Sequence, residues 1–239
     1  YYRSFIGILW TVLNPLLNML VMAFVFSQLF GRGDTGGLDY PLYILSGNIV
    51  FGIMRASTSG SLPCLVGQRD MLQKTKLPIS LFPTANVFSS LVTFGFSFIA
   101  LLIVALFRFW AGKYVFHWEI VLTLVLLPAI TLFSLGLSYF LSALYVFFRD
   151  LKDIYTVVLT LWTYLTPLFY APEALNNPAL IAVLKFNPMY YYVTYFRDLL
   201  MGVIPTLGEH ILCYAFGIGA FAIGALFMLA VRNKIAAKL

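Results

Sequence analysis

Charge is the scarcest commodity in this sequence. Asp, Glu, Lys and Arg make up 10% of its 239 residues, where a soluble domain carries about 25%. That shortage excludes an ordinary water-soluble globule and places the chain in a bilayer. Hydrophobic residues fill 62% of it, and the mean hydropathy is +0.93. Acids are scarcer than bases, 9 against 15, giving a formal charge of +6. This excess does not point to nucleic acid, because the bases sit in the gaps between apolar runs. Phospholipid head groups and acidic patches on a neighbour are the partners it fits.

Cysteine is nearly absent. Cys64 and Cys213 lie far apart in apolar runs. They form no disulfide framework and no metal spacing, so they are expected to be small buried hydrophobes. His117 and His210 stand alone near the ends of apolar runs, and a structural or interfacial role is expected for both. No Ser/His/Asp set, no paired carboxylates and no intramembrane acids for ion coupling stand out. The Gly112–Lys113 pair lacks the earlier glycine of a phosphate-binding G-x-x-x-x-G-K-[ST] loop. The expectation is a transport protein rather than an enzyme, with no catalytic residue, metal or cofactor of its own. No internal repeat is visible, which counts against an inverted-repeat transporter.

What the chain has is apolar length. A helix needs about 20 apolar residues to cross the hydrocarbon core. Six spans are predicted, at Phe5–Phe30, Leu42–Val66, Leu81–Phe107, Ile120–Phe148, Ile154–Tyr170 and Ile211–Val231. The fold class is therefore an all-α membrane protein forming one domain over 1–239. Between spans five and six, residues 171–207 hold two helix-capable runs, Ala179–Phe186 and Met189–Leu200, too short to span. They read as a re-entrant or interfacial hairpin. Arg108–Glu119 carries Trp110, Tyr114, His117 and Trp118, the amphipathic aromatics of a membrane interface.

Orientation follows from the bases. Arg3, Arg69, Lys74, Lys76, Arg149, Lys152, Arg232, Lys234 and Lys238 fall on one side; Arg32, Arg108, Lys113, Lys185 and Arg197 fall on the other. Lys and Arg favour the cytoplasmic side, so both termini are expected there. Small residues spaced by four (Gly52, Ala56 and Gly60; Ser134, Ser138 and Ser142; Ala215 and Gly219) allow close helix approach.

The most charged stretch is Gly67–Pro83. Gln68, Arg69, Asp70, Gln73, Lys74 and Lys76 crowd around an apolar pair, Met71 and Leu72. A solvated loop is one reading. A short helix that receives force from a partner protein is the other, with Met71 and Leu72 as an apolar anchor inside a charged rim. Arg149 and Asp150 lie in a second charged turn. Arg55 falls within span two, where a charge is costly. It either pairs inside the bundle or meets an anionic head group. Trp162, Tyr164, Phe169 and Tyr170 either line a path for sugar rings or belong to an interfacial aromatic belt.

Five stretches in order resemble one family. Phe5–Phe30, with Asn14–Pro15, is similar to its first span; Met71–Val92, with Lys74, Pro78, Pro83 and Ser89–Ser90, to its cytoplasmic coupling helix and third span; Tyr145–Ile154 to its Arg-Asp loop; Thr166–Tyr170 to the end of its fifth span; and Asn187–Gly202 to its Asn-Pro, Phe-Arg, Gly signature. The chain resembles the permease subunit of type-2 ABC exporters, in the polysaccharide branch that exports O-antigen, capsule and teichoic-acid polymers. Leu77 stands where the family commonly has an aromatic before the first proline.

The resemblance implies a coupling helix at about 67–78 between spans two and three, and an external re-entrant hairpin at about 171–207. It implies an amphipathic N-terminal helix, of which Tyr1–Ser4 would be the end. It implies a homodimer in the cytoplasmic membrane working with a separate pair of ATPase subunits, which would hold the ATP and Mg. The cargo it implies is a lipid-linked polysaccharide. Trp10 and Phe30 join the aromatics above and Arg55 as expected path residues. A small hydrophobic drug or a lipid is the alternative cargo.

Overall fold

A computed structural model describes residues 17, 21, 25, 37–74, 77–172 and 178–238. The expected first span, with Trp10 and Phe30, and also Lys76, lie outside the described residues, apart from Leu17, Val21 and Val25, which are helical and exposed. The described residues contain helices and turns and no strand.

The helices are α1 (Tyr40–Ser61), α2 (Cys64–Gly67), α3 (Arg69–Lys74), α4 (Leu81–Trp110), a 3-10 turn (Trp118–Leu122) leading into α5 (Thr123–Phe147), α6 (Leu151–Leu165), α7 (Pro178–Lys185), α8 (Pro188–Leu200) and α9 (Leu207–Lys238). Among the described residues, three segments are long and apolar enough to cross a membrane: Leu81–Trp110, Trp118–Phe147 and Leu207–Ile235. α1 has the length, 22 residues or about 33 Å, but is diluted by Ser46, Asn48, Arg55, Ser57 and Thr58. α6 has only 15 residues, about 22 Å.

Proline sets several ends. The expected second span runs to Val66, but α1 stops at Ser61, just before Pro63, and the chain restarts as α2. The expected fifth span runs to Tyr170, yet α6 stops at Leu165. Pro167 lacks an N–H and disfavours helical geometry in the residue before it. Pro178 and Pro188 open α7 and α8, where their missing N–H costs nothing.

The described residues fall into two compact units, one of 37–51, 93–123, 164–172 and 178–206, the other of 52–74, 77–92, 124–163 and 207–238. In the first, the fully buried side chains include Leu42, Leu45, Leu101, Leu168, Tyr192 and Phe196. Arg108 and Asp39 form a two-pronged ion pair there. Burial pushes the Tyr114 phenol up from its usual pKa, and its hydroxyl donates to the Leu200 carbonyl at 3.0 Å.

In the second unit α5 and α9 touch backbone to backbone. A methyl group at Gly136 would overlap the Ala220 carbonyl, and one at Gly224 would overlap the Gly136 carbonyl. One at Gly217 would stand 2.5 Å from the Ala129 carbonyl oxygen. The close-packing glycines are therefore not those of the expected Ala215–Gly219 row. Gly219 and Gly52 have open space beside them. Hydroxyl bridges tie the other helices: Ser57 to Ser90 at 2.6 Å, Thr84 to Tyr139 at 2.7 Å and Tyr155 to Thr58 at 2.7 Å. In lipid such pairs hold helices that hydrophobicity alone does not bring together.

Candidate functional site

The charged stretch forms the short helix α3, with Asp70 in its first turn and Lys74 in its last. Both charges complement the helix dipole, but six residues are too few for a stable helix by themselves. The support comes from below. Leu72 packs on an apolar cluster of Leu65, Ala143, Val146, Met228 and Ile235. Gln68, Arg69, Asp70, Met71, Gln73 and Lys74 are exposed. The expected apolar anchor is thus divided: Met71, 47% exposed, faces outward, while Leu72 is half-buried and fastens the helix to its own protein. The helix ends at Lys74, and the described residues 77–80 are not helical.

Phe147 packs on the same cluster, and the exposed pair Arg149–Asp150 follows after Phe148. The Arg149 guanidinium lies 5.6 Å from the Tyr145 ring centre. The Lys238 ammonium lies 5.2 Å from the Phe147 ring centre, which brings the basic end of α9 to the same place. This end of the second unit therefore combines α3, the Arg149–Asp150 turn and the bases Arg232, Lys234 and Lys238. It can present an apolar residue, Met71, inside a charged rim. That is the composition of a protein-binding contact.

Arg55 lies on the accessible face of α1 and donates to the Thr163 hydroxyl at 2.7 Å. Trp162 is half-buried in the second unit, edge-on to Phe133 at 6.3 Å. Tyr164 is 65% exposed, and its carbonyl accepts from the Tyr170 hydroxyl at 2.9 Å. Phe169 is half-buried.

The first unit contains an arrangement that sequence reasoning missed. Beyond α6 the backbone is not helical, so its buried carbonyls need partners outside a helix ladder. Asn187 Nδ2 donates to Leu165 O at 3.1 Å, and the Leu168 amide to Thr166 O at 2.7 Å. Arg197 donates to Pro167 O at 2.7 Å and Leu168 O at 3.2 Å. The hydroxyls of Tyr40 and Tyr43 donate to Phe169 O at 2.9 Å and Tyr170 O at 2.8 Å. Every carbonyl from Leu165 to Tyr170 is satisfied.

This explains the Asn-Pro, Arg, Gly spacing. Asn187 also caps α8, accepting from the Met189 amide at 3.0 Å. Arg197 is buried at 4% exposure. Gly202 has φ +76, and a methyl there would overlap the His117 ring. The available signal was the adjacent pair Arg197–Asp198 inside an otherwise uncharged, tyrosine-rich helical run.

A family model described as ABC-2 type transporter matches residues 1–201. An O-antigen export system permease protein RfbA from Myxococcus xanthus is 31% identical over 199 residues, covering 82% of this chain and 74% of that protein. A protein of the same name from Klebsiella pneumoniae is 25% identical over 237 residues, 98% of this chain and 86% of that one. The inner membrane transport permease YadH of Escherichia coli (strain K12) is 27% identical over 200 residues, 81% and 76% of the two chains.

Proposed function

Because this chain belongs to the ABC-2 type transporter family, we propose that it is the membrane-spanning half of an ATP-driven exporter. Its cargo is a lipid-linked polysaccharide of the O-antigen, capsule or teichoic-acid kind. The names of the relatives that cover most of the chain support the cargo. The observation that carries the mechanism is α3, a charged helix with its apolar Leu72 turned inward and its apolar Met71 turned outward.

The chain has six spans with both ends in the cytoplasm, and α7 and α8 form a re-entrant hairpin on the outer side. Two copies enclose the path. A pair of ATPase subunits holds ATP and Mg and grips α3, with the Arg149–Asp150 turn as a second contact. Closure of the ATPases pushes on α3. The push reaches Leu65, Ala143, Val146, Met228 and Ile235 through Leu72, because close-packed side chains transmit displacement with little compression. Arg55 faces the path, since an accessible arginine within a span requires water or an anionic partner. The aromatics Trp162, Tyr164, Phe169 and Tyr170 give sugar rings apolar faces to slide on.

The test is Met71→Asp. Its side chain leaves the fold intact, so the permease should still insert in the membrane. ATPase co-purification and polymer export should both be lost. Export at the wild-type level would reject α3 as the ATPase contact.

A further inference from the structure

A groove of about 390 Å³ opens on the second unit. Its lining includes Pro78, Ile79, Tyr139, Met228, Leu229 and Arg232. One wall is formed by residues 77–80, before α4, and another by α9. Leu207–Ile235 of α9 is long and apolar enough to cross a membrane, and Ile223, Leu226 and Leu229 are more than half exposed. Leu229 belongs to both surfaces, so the groove opens where the helix meets acyl chains rather than water.

Arg232 changes the chemistry at one end. It is exposed, about one turn beyond Leu229, and Lys234 and Lys238 follow it. No Asp or Glu occurs in α9 after Glu209, and none is in the groove lining. An apolar slot that ends at a cation matches a lipid with a hydrocarbon tail and an anionic head. A zwitterionic lipid fills the slot but brings no net charge to Arg232. The volume lies at the low end of small-ligand sites, about 300–1,000 Å³, which fits part of one acyl chain and excludes a polymer.

We propose that this groove holds one anionic phospholipid of the surrounding leaflet, with an acyl chain beside Tyr139 and Leu229 and its phosphate at Arg232. The inference goes beyond the transport reading, because this lipid is a resident and not cargo. It rests only on α9 as a membrane-spanning helix.

The experiment is native mass spectrometry of the delipidated full chain, titrated with phosphatidylglycerol, phosphatidylcholine or a polyprenyl phosphate. One basic contact near a membrane surface contributes about 1 kcal/mol, so phosphatidylglycerol should bind about fivefold more tightly than phosphatidylcholine. Arg232→Gln should abolish that preference and Arg232→Lys should keep it. Ala225→Trp, which fills the groove, should weaken both phospholipids alike. An equal affinity for the two in wild type, or a preference that survives Arg232→Gln, would overturn the proposal. So would displacement of phosphatidylglycerol by equimolar polyprenyl phosphate, which would give the groove to a carrier lipid instead.

Discussion

The Arg197 guanidinium lies 3.5 Å from the centre of the Tyr43 ring and donates to the carbonyl of that same residue at 3.1 Å. One buried cation thus joins α8 to α1 and, through Pro167 and Leu168, to the non-helical chain beyond α6. Removing it leaves buried carbonyls unpaired. Arg197→Met should cost about 3 kcal/mol or more, since bonds to a charged group contribute about 1.5–3 each. Arg197→Lys should not restore the loss, because an ammonium lacks the planar fork that stacks and donates at once. Thermal unfolding in detergent measures both. Gly47 gives an internal check, as a methyl there would sit 2.7 Å from Arg197 Nη2. Gly47→Ala should destabilise the wild type and cost less beside Arg197→Met, where the Leu168 side chain at 3.1 Å is the tight contact that remains.

At the end of α8, Gly202→Ala meets two obstacles, its positive φ and the His117 ring. Its unfolding temperature should fall. Adding His117→Ala should recover part of the loss and leave the backbone strain, about 1 kcal/mol or more. Full recovery would contradict the assignment of strain to φ.

The crossing of α5 and α9 should be intolerant of any side chain at Gly224, whose added methyl would overlap the Gly136 carbonyl. Gly224→Ala should separate the helices and lower stability. Gly219→Ala, with open space beside it, should have no cost and should gain slightly from the better helix propensity of alanine.

Much of this architecture is legible in sequence, for identifiable reasons. Apolar length reveals α4, α5 and α9, because a bilayer demands about 20 residues of one character. Prolines mark where α7 and α8 begin, and charge density marks α3. Contacts between distant residues are not legible. Arg197 reads as one more base in a connection, and only the fold brings it to Tyr43, 154 positions away in sequence. Rows of small residues promise close packing, but the glycines that achieve it, Gly136, Gly217 and Gly224, are chosen by the helix crossing. Met71 and Leu72 read as one apolar pair. Adjacent helix positions point about 100° apart, so one faces out and the other in.

That difference makes a prediction. Leu72→Asp puts a charge against the cluster of Leu65, Ala143, Val146, Met228 and Ile235, and should lower the yield and unfolding temperature of the permease itself. Met71→Asp should leave both unchanged and act only when the ATPase is present. Equal effects of the two substitutions on the isolated permease would remove the division of roles along α3.

Transport in proteoliposomes tests the whole account most directly. The chain is reconstituted with its ATPase subunits, and movement of a lipid-linked polysaccharide into a protected compartment is followed with and without ATP. The account predicts ATP-dependent movement of the polymer with wild type and none with Met71→Asp. Transport that needs no ATPase subunit, or that moves a small hydrophobic drug and not the polymer, would contradict it.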